Sequence, residues 1–402
     1  MYKRIAHLDA DCFYVSCERV RHPFLCGQPV GVLGNQGACV IAGSYEMKAH
    51  GVTVGMPIWE ARRLCPEGIF VKRDFEWYEV LSRQILDRVR RYSPAVEYYS
   101  IDEVFFDAQA MSDREIRSLQ QQLKEETGVP VSVGVSLSKT LAKSASGSGK
   151  PFGCVFAIKE DERNRLLHGR PVDKITGIAQ RSRRKLEAFG IRTCEDFVRA
   201  DRRLIRRLLT KRGEELWWEL NGVSVLPIHT TRVPHKYLSR GGSLGAATAD
   251  AERLSAWVAR NTERLIEALD YHGLYCEQLA MSLQFKTGGG ALHGVNLPAA
   301  TADFRTLYAA GKELLAACWK PGITVAYMHL IAEKLTCREH AQRSLLAESE
   351  PRQQVLDHLR QAINRQVGRW ALRSGATLPL KDIYDDPANA YEICDIYGKS
   401  CF

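Results

Sequence analysis

Val96-Glu97-Tyr98-Tyr99-Ser100-Ile101-Asp102-Glu103-Val104-Phe105-Phe106 places two acidic residues between two β-prone apolar runs. Aromatic and β-branched residues crowd both flanks, so the stretch reads as two strands with carboxylates at their junction. Far upstream, Ile5-Ala6-His7-Leu8 runs into Asp9-Ala10-Asp11, a second acidic strand end. A shared sheet would bring the two clusters together. Two carboxylates about 4 Å apart repel by ~1 kcal/mol in water and several-fold more where water is thinned. A group of three or four therefore stays ionised most easily around a hard cation. Mg²⁺ suits such a group because it takes oxygen ligands and leaves positions for water and substrate phosphates. Singly, each acid need do no more than cap a strand or solvate a turn.

Around these strands the chain alternates in a recognisable order. Phe13 to Glu18 starts a helix directly after the first acidic end, and Pro29 to Leu33 with Cys39 to Gly43 reads as a small two-stranded unit. Short helices are expected at Tyr45 to His50 and Pro57 to Leu64. A longer one, Phe75 to Tyr92, has helical spacing through Tyr78, Leu81, Ile85 and Val89 and stops before Pro94. After the second cluster come a helix, Asp113 to Thr127, and a strand, Val131 to Val135. Strand, helix, strand, strand, helix, strand is the order of a ferredoxin-like split βαβ sheet, here interrupted by an insert at about residues 26–72.

At 402 residues the chain has room for two to four domains. No apolar stretch reaches the length of a membrane span and Met1-Tyr2-Lys3-Arg4 leads straight into a strand, so a cytoplasmic protein without a membrane role is expected. Twelve cysteines lie scattered without a CxxC pair, which reads as free thiols in a reducing compartment rather than zinc spacing. The net charge of +9 is concentrated in residues 166–240, which carry 17 basic against 8 acidic side chains. Such a one-signed run among apolar positions points to a nucleic-acid backbone as partner.

Within that run, Ile175-Thr176-Gly177-Ile178-Ala179, then Arg183-Arg184-Lys185-Leu186 and Phe189-Gly190-Ile191, resembles a helix-hairpin-helix. A tight turn at a helix start aims backbone N–H groups at a phosphate while nearby cations neutralise it without reading bases. Ala179 stands where the motif usually has a second glycine. Ser138 to Ser146, with lysines four apart, and the loop lysine of Gly149-Lys150-Pro151 supply cations for the anionic tail of a nucleotide.

Asp9-Ala10-Asp11-Cys12-Phe13-Tyr14, Val40 to Lys48, Ser100-Ile101-Asp102-Glu103, Lys139 to Ser146 with Lys150-Pro151, and the hairpin at Gly177 together resemble the ordered motif set of Y-family, translesion DNA polymerases. The likeness runs through roughly residues 1–345, and Leu345 to Trp370 is more similar to the UmuC branch than to the DinB branch. It implies an α+β, multidomain, right-hand polymerase. The ferredoxin-like palm would cover 1–25 and 73–165, small fingers 26–72, a helical thumb 166–240, an α/β little finger 241–345, and a C-terminal helix and tail 346–402.

By the same resemblance, Asp9, Asp102 and Glu103 are the catalytic carboxylates, and with the Ala10 carbonyl they hold two Mg²⁺ ions. Tyr14 falls on the steric gate that excludes a ribose 2′-OH. Phe13, Tyr14, Ser44, Tyr45, Lys48 and Lys150 contact the incoming nucleotide, with Lys48 standing where many relatives have arginine. Gly177, Ala179, Arg183, Arg184 and Lys185 contact DNA. Asp11 reads as an N-cap for the Phe13 helix. The implied partners are primer-template DNA and dNTP, a damage-response accessory subunit, and the sliding clamp through a short peptide, Gln342-Arg343-Ser344-Leu345-Leu346, whose anchors are Gln342, Ser344, Leu345 and Leu346. Pro351 to Ala371 reads as an amphipathic helix, and the tail from Gly375 as polar and loop-like. Two rival readings are a non-catalytic polymerase-like scaffold that only binds DNA and a metal-dependent nucleotide cyclase.

Overall fold

The computed structural model describes residues 3–34, 39–231, 234–340 and 370–384, with scattered positions between 356 and 368. It resolves into two compact units, Met1–Arg232 and Val233–Ile393. In the first, β1 (Ile5–Ala10) leads into α1 (Phe13–Arg21). Next come β2 (Val30–Leu33), β3 (Val40–Gly43), α2 (Tyr45–Ala49), α3 (Ile58–Leu64) and β4 (Ile69–Lys72). The chain then returns through α4 (Phe75–Arg90), β5 (Val96–Ser100), β6 (Glu103–Asp107), α5 (Asp113–Thr127), β7 (Val131–Ser136), α6 (Lys139–Ser148), β8 (Cys154–Ala157) and α7 (Glu160–Leu167).

The main sheet has the order β5-β6-β1-β7-β8, with β1 antiparallel to both β6 and β7. Leaving out β8, this is the split βαβ arrangement that the sequence order implies. Side chains alternate across β1. Ala6 and Leu8 are buried on one face, while Ile5, His7 and Asp9 share the other, over which α6 packs. Helix α5 is held sharply, with a reciprocal Ser112–Glu115 capping box at its start. The insert is three-stranded rather than two-stranded, because the four-residue β4 pairs in parallel with β2. So short a run carries no period of its own.

The helical segment that follows contains α8 (Gln180–Glu187), α9 (Cys194–Arg199) and α10 (Arg202–Leu220). Ile175, Ile178, Leu186, Ile191, Phe197 and Ile205 form its core.

The second unit is a four-stranded sheet of order β11-β10-β12-β9 with two helices. Its elements are β9 (Tyr237–Thr248), α11 (Ala251–Tyr271), β10 (Leu274–Phe285), β11 (Gly290–Thr301), α12 (Phe304–Cys318) and β12 (Val325–Cys337). The boundary expected at residue 240 falls inside β9, whose Ser239 and Arg240 pair with β12. Glycines 241 and 242 hide that strand from a sequence reading. The start of the tail is not loop-like either. Gly375–Leu380 and Lys381–Tyr384 form short helices that pack on α11, with Leu380 and Ile383 in the core, the Ser374 N–H donating to Glu263 at 2.7 Å and Arg253 paired with Asp382 at 2.8 Å. Covered by the sheet and by this tail, α11 buries Trp257, Arg260, Asn261 and Arg264 alike. The expected clamp-docking residues Gln342, Ser344, Leu345 and Leu346 lie outside the described residues. No helix among the described residues is long and apolar enough to cross a membrane.

Candidate active site

Antiparallel register sets Asp9 directly opposite Glu103, and the Ala10 N–H donates to the Asp102 carbonyl at 2.9 Å. The two acidic clusters, some ninety positions apart in sequence, thus meet at one end of the central strand pair. Each carboxylate is held by a neighbour. Lys150 Nζ lies 2.6 Å from Asp9, Lys143 Nζ lies 2.6 Å from Glu103, and the Ser100 hydroxyl donates to Asp102 at 2.5 Å. Burial pushes the Asp9 carboxyl up to about 6 against the pull of Lys150, and Glu103 and Asp102 add to the rise. Against the cost of its own burial, Asp9 holds the Lys150 ammonium above its usual value.

Beneath these acids sits His7, buried between Phe105 (ring centroids 4.4 Å apart) and Ser146, whose hydroxyl shares a 2.7 Å hydrogen bond with Nδ1. Burial, aided by Lys143, Lys150 and Lys139, keeps its imidazole well below the usual value and hence neutral. A neutral ring here adds no further positive charge to a site already lined by lysines.

Asp11 does not cap α1. The N-cap position is Cys12, in the left-handed region at φ 45°, with no side-chain cap. Asp11 turns inward instead, accepting from Ser132 Oγ at 3.0 Å, the Phe152 N–H at 2.7 Å and Tyr45 Oη at 3.3 Å. It ties β1 to β7, to the loop carrying Lys150 and to α2. The two lysines of α6 also part company. Lys139 is buried against Glu97 at 2.6 and 2.8 Å, where the pair also binds Pro227 and His229. Only Lys143 reaches the acidic cluster, so the expected paired clamp reduces to Lys143 and Lys150.

Tyr14, on the first turn of α1, stacks on Tyr78 (centroids 4.8 Å, 19° between planes), with Phe75 edge-on. Phe13 is buried beside it. Ser44 is fully buried, its hydroxyl accepting from the Met47 and Val30 N–H groups, so its side chain caps α2. Tyr45 and Lys48 project from that helix toward the acidic end of β1, with Lys48 Nζ 3.2 Å from Cys12 Sγ and 4.8 Å from the Tyr45 ring centroid. Sequence reasoning missed Ser100, Ser132, Glu97 and His7 as supports, since hydroxyls and one buried imidazole carry no spacing signal.

In the helical segment Gly177 takes φ 101° and Ala179 is the N-cap of α8, without a side-chain cap. Arg183 is engaged by Asp173 at 2.7 Å and Glu187 at 2.6 Å, whereas Arg184 and Lys185 are exposed. Arg202 and Arg206 share Glu214.

The donor chemistry fits a divalent cation. All four proposed donors are hard oxygens, and Asp9 stays under-compensated although an ammonium lies 2.6 Å away. Its proton should therefore compete with metal. Divalent-ion affinity is expected to fall as pH drops through about 6, whereas an ordinary aspartate stays ionised down to about 4. Calorimetric titration on either side of pH 6 checks this, and equal affinities would remove Asp9 from the ligand set.

The profile of the impB/mucB/samB family matches residues 8–147, and that of its C-terminal domain residues 235–345. Protein ImpB of Salmonella typhimurium is 31% identical over 88% of this chain and 89% of its own length. DNA polymerase IV 1 of Bacillus subtilis is 28% identical over 93% of each chain. Protein UmuC of Salmonella typhimurium is 29% identical over 87% of this chain and 89% of its own. Among solved structures, a Y-family DNA polymerase chimera of Dbh and Dpo4 superposes with a TM-score of 0.71, covering 83% of this chain and 99% of that one at 21% identity. With its acids paired across β1 and β6 and its relatives matched nearly end to end, the chain belongs to the impB/mucB/samB family of Y-family polymerases.

Proposed function

We propose that this chain is a DNA-directed DNA polymerase of the translesion type, adding nucleotides from dNTP to a primer 3′-OH opposite a template. The observation that carries it is the Asp9–Glu103 register with Asp102 bonded to Ala10, set among Lys150, Lys143, Tyr45 and Lys48. Asp9, Asp102, Glu103 and the Ala10 carbonyl would hold two Mg²⁺ ions. When bound, these supply Lewis acidity to the 3′-OH and to the reacting phosphate. Lys150 and Lys143, already placed at the carboxylates, neutralise the triphosphate, and Tyr45 and Lys48 steady its tail. His7 stays neutral and packs the floor. The five-stranded sheet then acts as palm, the three-stranded insert as fingers, the α8–α10 segment as thumb and the second unit as little finger. Gly177, Ala179, Arg184 and Lys185 meet DNA phosphates, with Arg183 acting largely to brace α8. Docking on a sliding clamp and use of an accessory subunit extend the same reading.

Primer extension on damaged and undamaged templates, with and without Mg²⁺, tests the assignment. Binding of DNA without extension would favour the scaffold reading, and cyclic nucleotide formation without DNA the cyclase. Wedged against Tyr78 and Phe75, the Tyr14 ring cannot swing aside to admit a larger sugar. Tyr14→Ala is expected to raise ribonucleotide incorporation about 10²-fold with little change in dNTP use. Unchanged sugar discrimination in single-nucleotide kinetics would remove Tyr14 from that role.

A further inference from the structure

Away from the acidic site, the small three-stranded segment brings together three metal-ligating side chains of different chemistry. His50 is the C-cap residue of α2, Cys65 the C-cap residue of α3, and Glu67 lies in the turn before β4. One donor atom from each lies within 4.8 Å of the other two, the single such group found among the described residues. His50 Nε2 and Glu67 Oε1 are 3.2 Å apart. With Zn–N and Zn–O bonds near 2.0–2.1 Å, two ligands of a tetrahedral ion sit about 3.3 Å apart. The separation observed already matches.

The cysteine is fully buried, and its thiol is the inner of the three donors. Its backbone is fixed on both sides, Cys65 N–H to Ala61 at 2.9 Å and Gly68 N–H to the Cys65 carbonyl at 3.0 Å. A methyl carbon at Gly68 would come within 3.2 Å of its sulfur, so glycine lets the turn close over the thiol and carry Glu67 to it. The core of this segment is also slight, formed by Leu33, Val40, Met47, Val52, Ala61 and Cys65. Small units with little apolar burial gain most from a metal cross-link.

We propose that His50, Cys65 and Glu67 form a binding site for a borderline-soft divalent ion of the zinc type, with a fourth position left to water. Thiolate, imidazole and carboxylate together select Zn²⁺ or Co²⁺ over Mg²⁺, so the ion that serves the catalytic carboxylates does not compete here. The ion ties the end of α2, the helix that presents Tyr45 and Lys48, to the α3–β4 turn.

The test is Co²⁺ titration of the full chain after chelator treatment, in excess Mg²⁺. One equivalent of Co²⁺ should give tetrahedral visible bands and a thiolate-to-cobalt charge-transfer band, and Zn²⁺ should displace it. Cys65→Ser should abolish the charge-transfer band, and His50→Gln should weaken binding about tenfold or more. Cys39→Ser should leave the band intact. Because His50 is 42% exposed, its variant tests the site even if Cys65→Ser fails to fold. Absence of a saturable band in the parent chain, or its survival at full strength in His50→Gln, overturns the site. Neither result depends on whether the chain extends primers.

Discussion

Asp102→Ala or Glu103→Ala is expected to lower nucleotide incorporation by about 10³-fold or more, equivalent to at least ~4 kcal/mol of transition-state stabilisation. The two acids do different local work. Glu103 lies opposite Asp9 and neutralises Lys143, while Asp102 is aimed by Ser100 and its carbonyl is locked to the Ala10 N–H. Removing either leaves a cation-rich site with too few oxygens to hold a divalent ion. Single-turnover incorporation with pre-bound primer-template separates the chemical step from DNA binding, which should change little. Glu103→Gln serves as the control for packing, since it keeps the shape and loses the charge. Near-normal incorporation by either alanine variant would mean that the pair across β1 and β6 is not the catalytic centre.

Gly134→Ala carries the second large effect. Gly134 lies opposite His7 in the β1–β7 ladder, directly under α6. An added methyl carbon would lie 2.1 Å from the Ser146 nitrogen and 2.2 Å from the Ala142 carbonyl oxygen. Both are helix backbone, which cannot rotate away as a side chain would. The helix must lift, withdrawing Lys143 from Glu103 and breaking the close packing of Ala142 and Ala145 on the sheet. A cost of about 3 kcal/mol or more is expected, above the common range for an overpacked methylene. For a unit of this size that is a fall of roughly 6–12 °C in its melting transition. Differential scanning calorimetry reads it directly, and an unchanged midpoint would show that α6 does not rest on Gly134.

The strands that carry the acids were legible because their signals are local. Val96 to Phe106 is dense in β-branched and aromatic residues, Ile5 to Leu8 is a short and largely apolar run, and acids at strand ends stand out against both. Helices with clear spacing, such as α4 and α5, were equally readable. Strand β11 was not, because Gly290-Ala291-Leu292-His293-Gly294 has no strand preference of its own and is extended only by pairing with β10. Asp11 reads as a helix cap from its position beside Phe13, yet Ser132 and the Phe152 N–H, more than a hundred residues away, claim its oxygens.

The sequence by itself determined the acidic clusters at the strand ends, the alternation of strands and helices around them, and the basic segment that suits a phosphate backbone. Tertiary structure alone decided that Lys139 is buried against Glu97 while Lys143, one helical turn on, reaches Glu103. It also decided that Asp9 faces Glu103 rather than a neighbour, and that Gly375–Leu380 and Lys381–Tyr384 pack on α11. The division has one physical cause. Preferences for helix or strand act between near neighbours in the chain, whereas register, burial and the charge state of a carboxylate are set by groups that only folding brings close.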